Sequence, residues 1–184
     1  MKLNVSCNTD VGLKRERNED AFLMVPEANL FIVADGMGGH RGGDLASKLA
    51  VETMREIVVS HTENATYFSP RAMLEEGFVE ASRRIYEEGR ADPTVSQGMG
   101  TTLVAVFLHG DTLFIGNVGD SRAYLLNDTF MWQITEDHSL LNEHIKAGLI
   151  KDSEAKDFQA KNVITRSVGF EREVRCDIFQ RKIL

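Results

Sequence analysis

Apolar and polar positions change period along the chain. After a short N-terminal strand, Asp20-Ala-Phe-Leu-Met-Val25 and Leu30-Phe-Ile-Val-Ala34 form two apolar runs joined by Pro26-Glu-Ala-Asn29. That length and turn chemistry predict a β-hairpin, with Asp35 at the end of its second strand. From Asp44 to about Ser60 the apolar residues Leu45, Leu49, Met54, Ile57 and Val58 fall near helical spacing, with Asp44 as the expected N-cap. Ser69-Pro70 signals a second helix start, and Met73, Leu74, Phe78, Ala81 and Ile85 carry that helix to about Gly89.

From Thr101 the pattern becomes strand-like. Runs at 101–108, 112–118, 121–126 and 129–134 are separated by Gly110-Asp111 and Asn127-Asp128, which predicts an antiparallel meander. Residues 139–161 are polar and partly helical, a flap-like excursion anchored by Leu140, Leu141, Ile145 and Leu149. Val174 to Phe179 returns to strand character. Strands grouped apart from helices indicate an α+β layered fold. With no repeat or low-complexity linker, residues 1–184 are expected to form one domain.

Composition narrows the function. The net charge is −7 and no Lys/Arg cluster offsets it, so a nucleic-acid partner is not expected. The N-terminus has no signal-peptide apolar core, and no apolar run approaches the roughly 18 to 20 residues of a membrane span, so a cytoplasmic location without membrane attachment is expected. Cys7 and Cys176 are widely separated and are expected to be reduced structural thiols. Neither has a Cys-x5-Arg setting, which argues against a cysteine nucleophile.

Three clusters carry candidate chemistry. The first, Asp35-Gly-Met-Gly-Gly-His-Arg-Gly-Gly43, puts an acid at a strand end before five glycines in eight positions. Asp35 and the Gly36 carbonyl offer hard oxygen donors suited to Mg²⁺ or Mn²⁺, although a plain strand-to-helix turn has the same composition. A nucleotide P-loop is excluded because the helix opens Gly43-Asp44-Leu45, and a dinucleotide motif is excluded because Arg41 occupies its third glycine position. In the second cluster, Arg15 to Asp20, Glu19 and Asp20 open the strand whose hairpin partner delivers Asp35, so the acids are expected at one sheet edge. Arg15 has the planar fork that clamps a phosphate dianion. The third is Gly119-Asp120-Ser121-Arg122: Asp120 is either a further acidic ligand or a turn cap, while Ser121 and Arg122 are expected to fix the turn by hydrogen bonds and an ion pair.

Together these residues resemble the metal-dependent (type 2C) protein serine/threonine phosphatases of bacteria. Arg15 to Asp20, Asp35 to His40, Gly98 to Thr102 and Gly119 to Arg122 match that family's segments in order, followed by Thr135-Glu-Asp-His-Ser139 and Asn162-Val-Ile-Thr-Arg166. The resemblance implies two antiparallel sheets packed as a sandwich with helices on both outer faces. It implies that Asp35 bridges two Mn²⁺ or Mg²⁺ ions, that Gly36 adds a carbonyl, and that Glu19 and Asp20 hold metal-bound waters. Asp120 would help bind a third ion, and Arg15 would hold the phosphate of a phosphoserine or phosphothreonine in a protein substrate of a Ser/Thr kinase. The implied reaction is in-line attack on phosphorus by a bridging hydroxide. Met37 stands where some relatives carry a general-acid histidine, which leaves His40 as the weaker candidate.

The family's later Ser-Asp-Gly and Asp-Asn segments have no counterpart before Leu184. The C-terminal strands are thus expected to be missing, leaving Asp35 as the only direct carboxylate of one metal site. This length of chain is expected to show little or no turnover by itself. Two other functions fit the same residues: a non-catalytic module that binds phosphoproteins, and a hydrolase of small phosphate esters.

Overall fold

The computed structural model describes residues 3–38, 42–64, 67–91 and 98–183. Strands β1 (Asp20–Val25) and β2 (Leu30–Met37) form the expected hairpin, closed by a short 3-10 turn at Pro26–Ala28 in which Asn29 takes a left-handed φ of 53°. Helices α1 (Gly42–Asn64) and α2 (Pro70–Ala91) follow. Then come β3 (Gly100–Thr101), β4 (Leu103–His109), β5 (Thr112–Val118), β6 (Tyr124–Leu126), β7 (Met131–Gln133), α3 (Leu140–Lys146) and β8 (Asp177–Lys182). Two antiparallel sheets result. The larger runs β1-β2-β4-β5-β8 with β3 paired to the end of β2, and the smaller is the β6-β7 hairpin.

Alternation along β2 decides where the helices sit. Leu30, Ile32 and Ala34 are buried in the main core, while Val33 is 46% exposed on the opposite face. On α1 the buried stripe is Ala46, Ala50, Met54 and Val58. Leu45, expected inside, is exposed: the small side chains one position later let the helix lie close against the sheet. α2 buries Met73, Leu74, Phe78, Ala81 and Ile85 as its period predicted. Pro70 opens it, and Ser69 accepts the main-chain N–H of Ala72 at 3.4 Å. Asp44 is not the N-cap of α1, because that helix already includes Gly42; Asp44 instead lies in the first turn, where its charge complements the helix dipole and pairs with Lys48.

Three further expectations change. Residues 3–19 form no strand among the described residues. The run expected at 101–108 divides into β3 and β4, because Thr102 leaves the ladder to bond Asp35 through both its main chain and its hydroxyl. The meander also ends at β5. Gly119, at φ +100°, turns the chain away, so β6 pairs with β7 and not with β5. Within 139–161, α3 and a 3-10 segment at Asp152–Asp157 occupy an excursion tied at its base by the Ser139–Ile164 bridge.

Candidate metal and phosphate site

Asp20 and Asp35 are direct partners in the β1-β2 ladder, so the hairpin places both at one end of the sheet. Asp35 is tethered by its backbone: its N–H donates to Thr102 Oγ1 at 2.9 Å, and its C=O accepts the Thr102 N–H at 2.9 Å. The Thr102 hydroxyl shares a 2.6 Å hydrogen bond with Ser121, beside Asp120. The two acidic turns are therefore linked through one threonine. Arg122 completes the second turn with a bidentate pair to Asp137, Nε to Oδ1 at 2.9 Å and Nη2 to Oδ2 at 2.5 Å. Ser121 and Arg122 thus fix the turn, as the sequence indicated.

The electrostatics follow from this crowding. The Asp35 carboxyl is pushed up to about 6, first by loss of water around it, then by the Asp20 and Asp120 charges and a hydrogen-bonding approach from Asp20, with Arg15 acting weakly the other way. Its outer side still meets solvent, so it is crowded by like charge while remaining accessible. Asp120 is also held above its ordinary value, by burial foremost and by Asp137 nearby; its own main-chain hydrogen bond and Arg122 oppose the rise. Neighbouring carboxylates, two of them held above their ordinary values by burial and nearby like charge, are a natural seat for a divalent cation.

Glu19 sits at the same sheet end but faces the other way. Its Oε2 accepts from Arg15 at 2.9 Å, and its Oε1 is buried with no hydrogen-bond partner beside Gly43 at the start of α1. The Glu19 carbonyl accepts from Gly36 N–H at 3.1 Å and from Ser47 Oγ at 2.7 Å. Gly36 has no room for a side chain, since a Cβ there would lie 2.0 Å from the Gly43 carbonyl oxygen. The glycine requirement at 36 is thus packing against α1, and it leaves the Gly36 carbonyl beside Asp35.

Arg15 is 69% exposed and spends one nitrogen on Glu19, which leaves most of its fork open at the mouth of the site. The cleft between the acids holds about 230 Å³ and is lined by Asn8, Thr9, Asp20, Phe22, Asp35 and Ser121. His40, the weaker general-acid candidate, lies outside the described residues. Among those described, no group of three or more His, Cys, Asp or Glu side chains is already arranged around a common metal position. Asp20, Asp35 and Asp120 are neighbours, while Glu19 reaches the site through Arg15 and the backbone of Gly36.

Sequence reading missed Thr102, although it lies in the matched segment Gly98 to Thr102. It also missed His138, Arg166 and Asp177, which cluster behind the Asp120 turn. His138 and Arg166 belong to the quoted Thr135 to Ser139 and Asn162 to Arg166 segments, the signals that pointed to them. Burial pushes the Cys176 thiol up to about 11, and Cys7 is a free surface thiol, so neither resembles an activated nucleophile. No helix among the described residues is long and apolar enough to cross a membrane.

Known proteins resemble this arrangement over nearly its whole length. Residues 14–166 match the family described as protein phosphatase 2C. The serine/threonine phosphatase Stp of Listeria innocua is 38% identical over 182 residues, covering 96% of this chain and 71% of that protein. The protein phosphatase PhpP of Streptococcus pneumoniae is 34% identical, covering 95% and 71%. Among solved structures, the Mycobacterium tuberculosis serine/threonine phosphatase PstP/Ppp superposes with a TM-score of 0.85 at 30% identity, covering 96% of this chain and 72% of that one. The PstP catalytic domain in complex with two manganese ions superposes with a TM-score of 0.81, also at 30% identity, covering 96% and 71%. With ordered motifs, fold and overall identity in agreement, this chain belongs to the protein phosphatase 2C family.

Proposed function

We propose that the protein hydrolyses phosphoserine and phosphothreonine in proteins, using Mn²⁺ or Mg²⁺ held at the Asp35 end of the sheet. The observation that carries this reading is the opposition of Asp20 and Asp35 across the ladder, where burial first and then the Asp20 and Asp120 charges push the Asp35 carboxyl up to about 6. The donor set fits a hard divalent cation: Asp20, Asp35, Asp120 and the Gly36 carbonyl offer oxygen donors only, at one end of the sheet. Asp35 and the Gly36 carbonyl would be direct ligands of a two-ion centre, Asp120 a ligand of a further ion, and Glu19 and Asp20 would accept hydrogen bonds from ordered waters.

Bound cations would supply Lewis-acid polarisation of the phosphate and a water activated at neutral pH. The chain's own residues do the rest. Arg15 grips non-bridging phosphate oxygens with the part of its fork not used by Glu19, orienting phosphorus toward the acids. Thr102 and Ser121 hold the two acidic turns at fixed separation, so the carboxylates need little reorganisation when substrate arrives. Phosphorylated products of a Ser/Thr kinase in the cytoplasm are the expected partners.

The test is hydrolysis of p-nitrophenyl phosphate and of a phosphothreonine peptide, with and without Mn²⁺, by this chain and by a version extended to the relatives' length. Mn²⁺-dependent release of phosphate that disappears in Asp35→Asn supports the proposal. Tight phosphopeptide binding with no hydrolysis in either version replaces it with a binding module, and turnover of small esters but not of the peptide replaces it with a small-ester hydrolase.

A further inference from the structure

We infer that His138, fixed in one tautomer by Asp177, is a positioning residue that sets the Asp120 carboxylate for cation binding. What Asp120 holds rests on the phosphatase reading above, whereas the clamp itself rests on geometry. The His138 side chain is 7% exposed and lies between the turn after β5 and the start of β8. Its Nδ1 accepts the Gly119 N–H at 3.0 Å, and its own main-chain N–H donates to the Gly119 carbonyl at 3.0 Å. Both polar main-chain groups of the residue preceding Asp120 are therefore held by a single histidine.

An Nδ1 that accepts a hydrogen bond carries no proton, so the neutral ring must bear its proton on Nε2. That Nε2 lies 3.1 Å from Asp177 Oδ2, where the proton has an acceptor. Arg166 Nη1 is 2.9 Å from the same nitrogen but cannot donate to it once it is protonated; its acceptors are Asp177 Oδ1 and the Arg175 carbonyl, each at 3.1 Å. Burial would raise the Asp177 carboxyl, but the bonds from His138 and Arg166 outweigh that and hold it below its ordinary value. An ionised Asp177 thus has one oxygen for each donor.

The chain of contacts runs from the sheet to the site. Asp177 is the ladder partner of Asn117, whose amide donates to the Glu136 carbonyl at 2.8 Å, so β8 fixes both Asp177 and the strand leading to His138. The Thr165 N–H holds the His138 carbonyl at 2.9 Å from the other side. At φ +100° Gly119 has no side chain to bias its conformation, so the two bonds from His138 define the direction in which Asp120 leaves the turn. An apolar residue at 138 would keep the main-chain bond to the Gly119 carbonyl but leave the Gly119 N–H without its acceptor.

The experiment follows amide signals of the ¹⁵N-labelled 184-residue chain during Mn²⁺ titration. In the unaltered chain Mn²⁺ should broaden the Asp120 amide, and in His138→Ala and Asp177→Asn the concentration required should rise about tenfold or more, as when an outer group orienting a metal-binding residue is lost. Asp177→Asn retains one oxygen acceptor for two donors, so one of them must be dropped. His138→Asn, whose Oδ1 can replace Nδ1 as acceptor, should recover most of the affinity and keep the Gly119 amide protected from exchange. A packing defect would affect the Ala and Asn variants of His138 alike. If His138→Ala does not fold, Asp177→Asn carries the test. Unchanged Mn²⁺ dependence in the variants, or no broadening at Asp120 in the unaltered chain, overturns the inference. Mn²⁺-dependent hydrolysis with the Mn²⁺ dependence of the Asp120 broadening unchanged in the variants removes this inference and leaves the phosphatase reading standing.

Discussion

Asp20 and Asp35 stand opposite one another in the β1-β2 ladder, close enough that the Asp20 charge adds to burial in disfavouring ionisation of Asp35. Like charges directly across a strand pair destabilise a hairpin. This hairpin keeps them at its end, where a cation can reach both.

Replacing Asp35 by Asn should therefore raise the melting temperature of the metal-free protein at pH 7.5 while abolishing Mn²⁺-dependent hydrolysis. Relief of about 1 kcal/mol corresponds to a rise of about 2–4 °C in a domain of this size. Mn²⁺ should stabilise the unaltered protein and leave Asp35→Asn unmoved. Calorimetry with and without the metal checks both, and a destabilised metal-free Asp35→Asn would contradict the repulsion argument.

In the version extended to the relatives' length, Arg15→Ala should lower kcat/KM for phosphopeptide by about 10- to 150-fold, the range for loss of a charged hydrogen bond worth about 1.5–3 kcal/mol. Arg15→Lys should recover little, because a point ammonium cannot span two phosphate oxygens while keeping Glu19. Steady-state kinetics decide it, and full activity in Arg15→Lys would show that the fork is not used.

Phe78 is fully buried between α2 and the sheet, touching the core that also holds Leu30 and Ile85. Phe78→Ala should cost about 3–5 kcal/mol. Urea unfolding measures this. Because the residue lies on the helix side of the sheet, activity per folded molecule should stay near that of the unaltered protein.

Glu80 on α2 accepts hydrogen bonds from Arg83 and Arg84, which outweigh burial and lower its carboxyl to about 2. A depressed carboxyl stabilises the fold above its unfolded value, near 4.5, and that contribution disappears as pH falls through 2. Glu80→Gln should thus melt earlier than the unaltered protein at pH 6 and converge with it near pH 2. Melting curves that stay parallel across this range would show that the network adds no pH-dependent stability.

Local signals were enough for much of the fold. The period of Met73, Leu74, Phe78, Ala81 and Ile85 defined α2, and Pro26 to Asn29 defined the first hairpin, because both depend on neighbours within a few residues. α1 was found but its buried stripe was displaced from Leu45 to Ala46, since hydrophobicity ranks leucine first whereas close approach to β2 favours alanine. The break at Thr102 and the exit of the chain at Gly119 depend on partners dozens of residues away and left no periodic trace.

The chain's order of residues by itself determined the helices, the hairpin and the identity of the chemical groups: Arg15, Glu19, Asp20, Asp35 and Asp120 are hard-oxygen and guanidinium chemistry in any conformation. Only the tertiary structure decided their directions, turning Asp20 toward Asp35, Glu19 toward the start of α1, and Asp120 into reach through Thr102, Ser121 and His138. The physical reason is that residue type fixes charge and hydrogen-bonding capacity locally, whereas where a carboxylate points is set by strand register and by long-range hydrogen bonds that exist only once the sheet has closed.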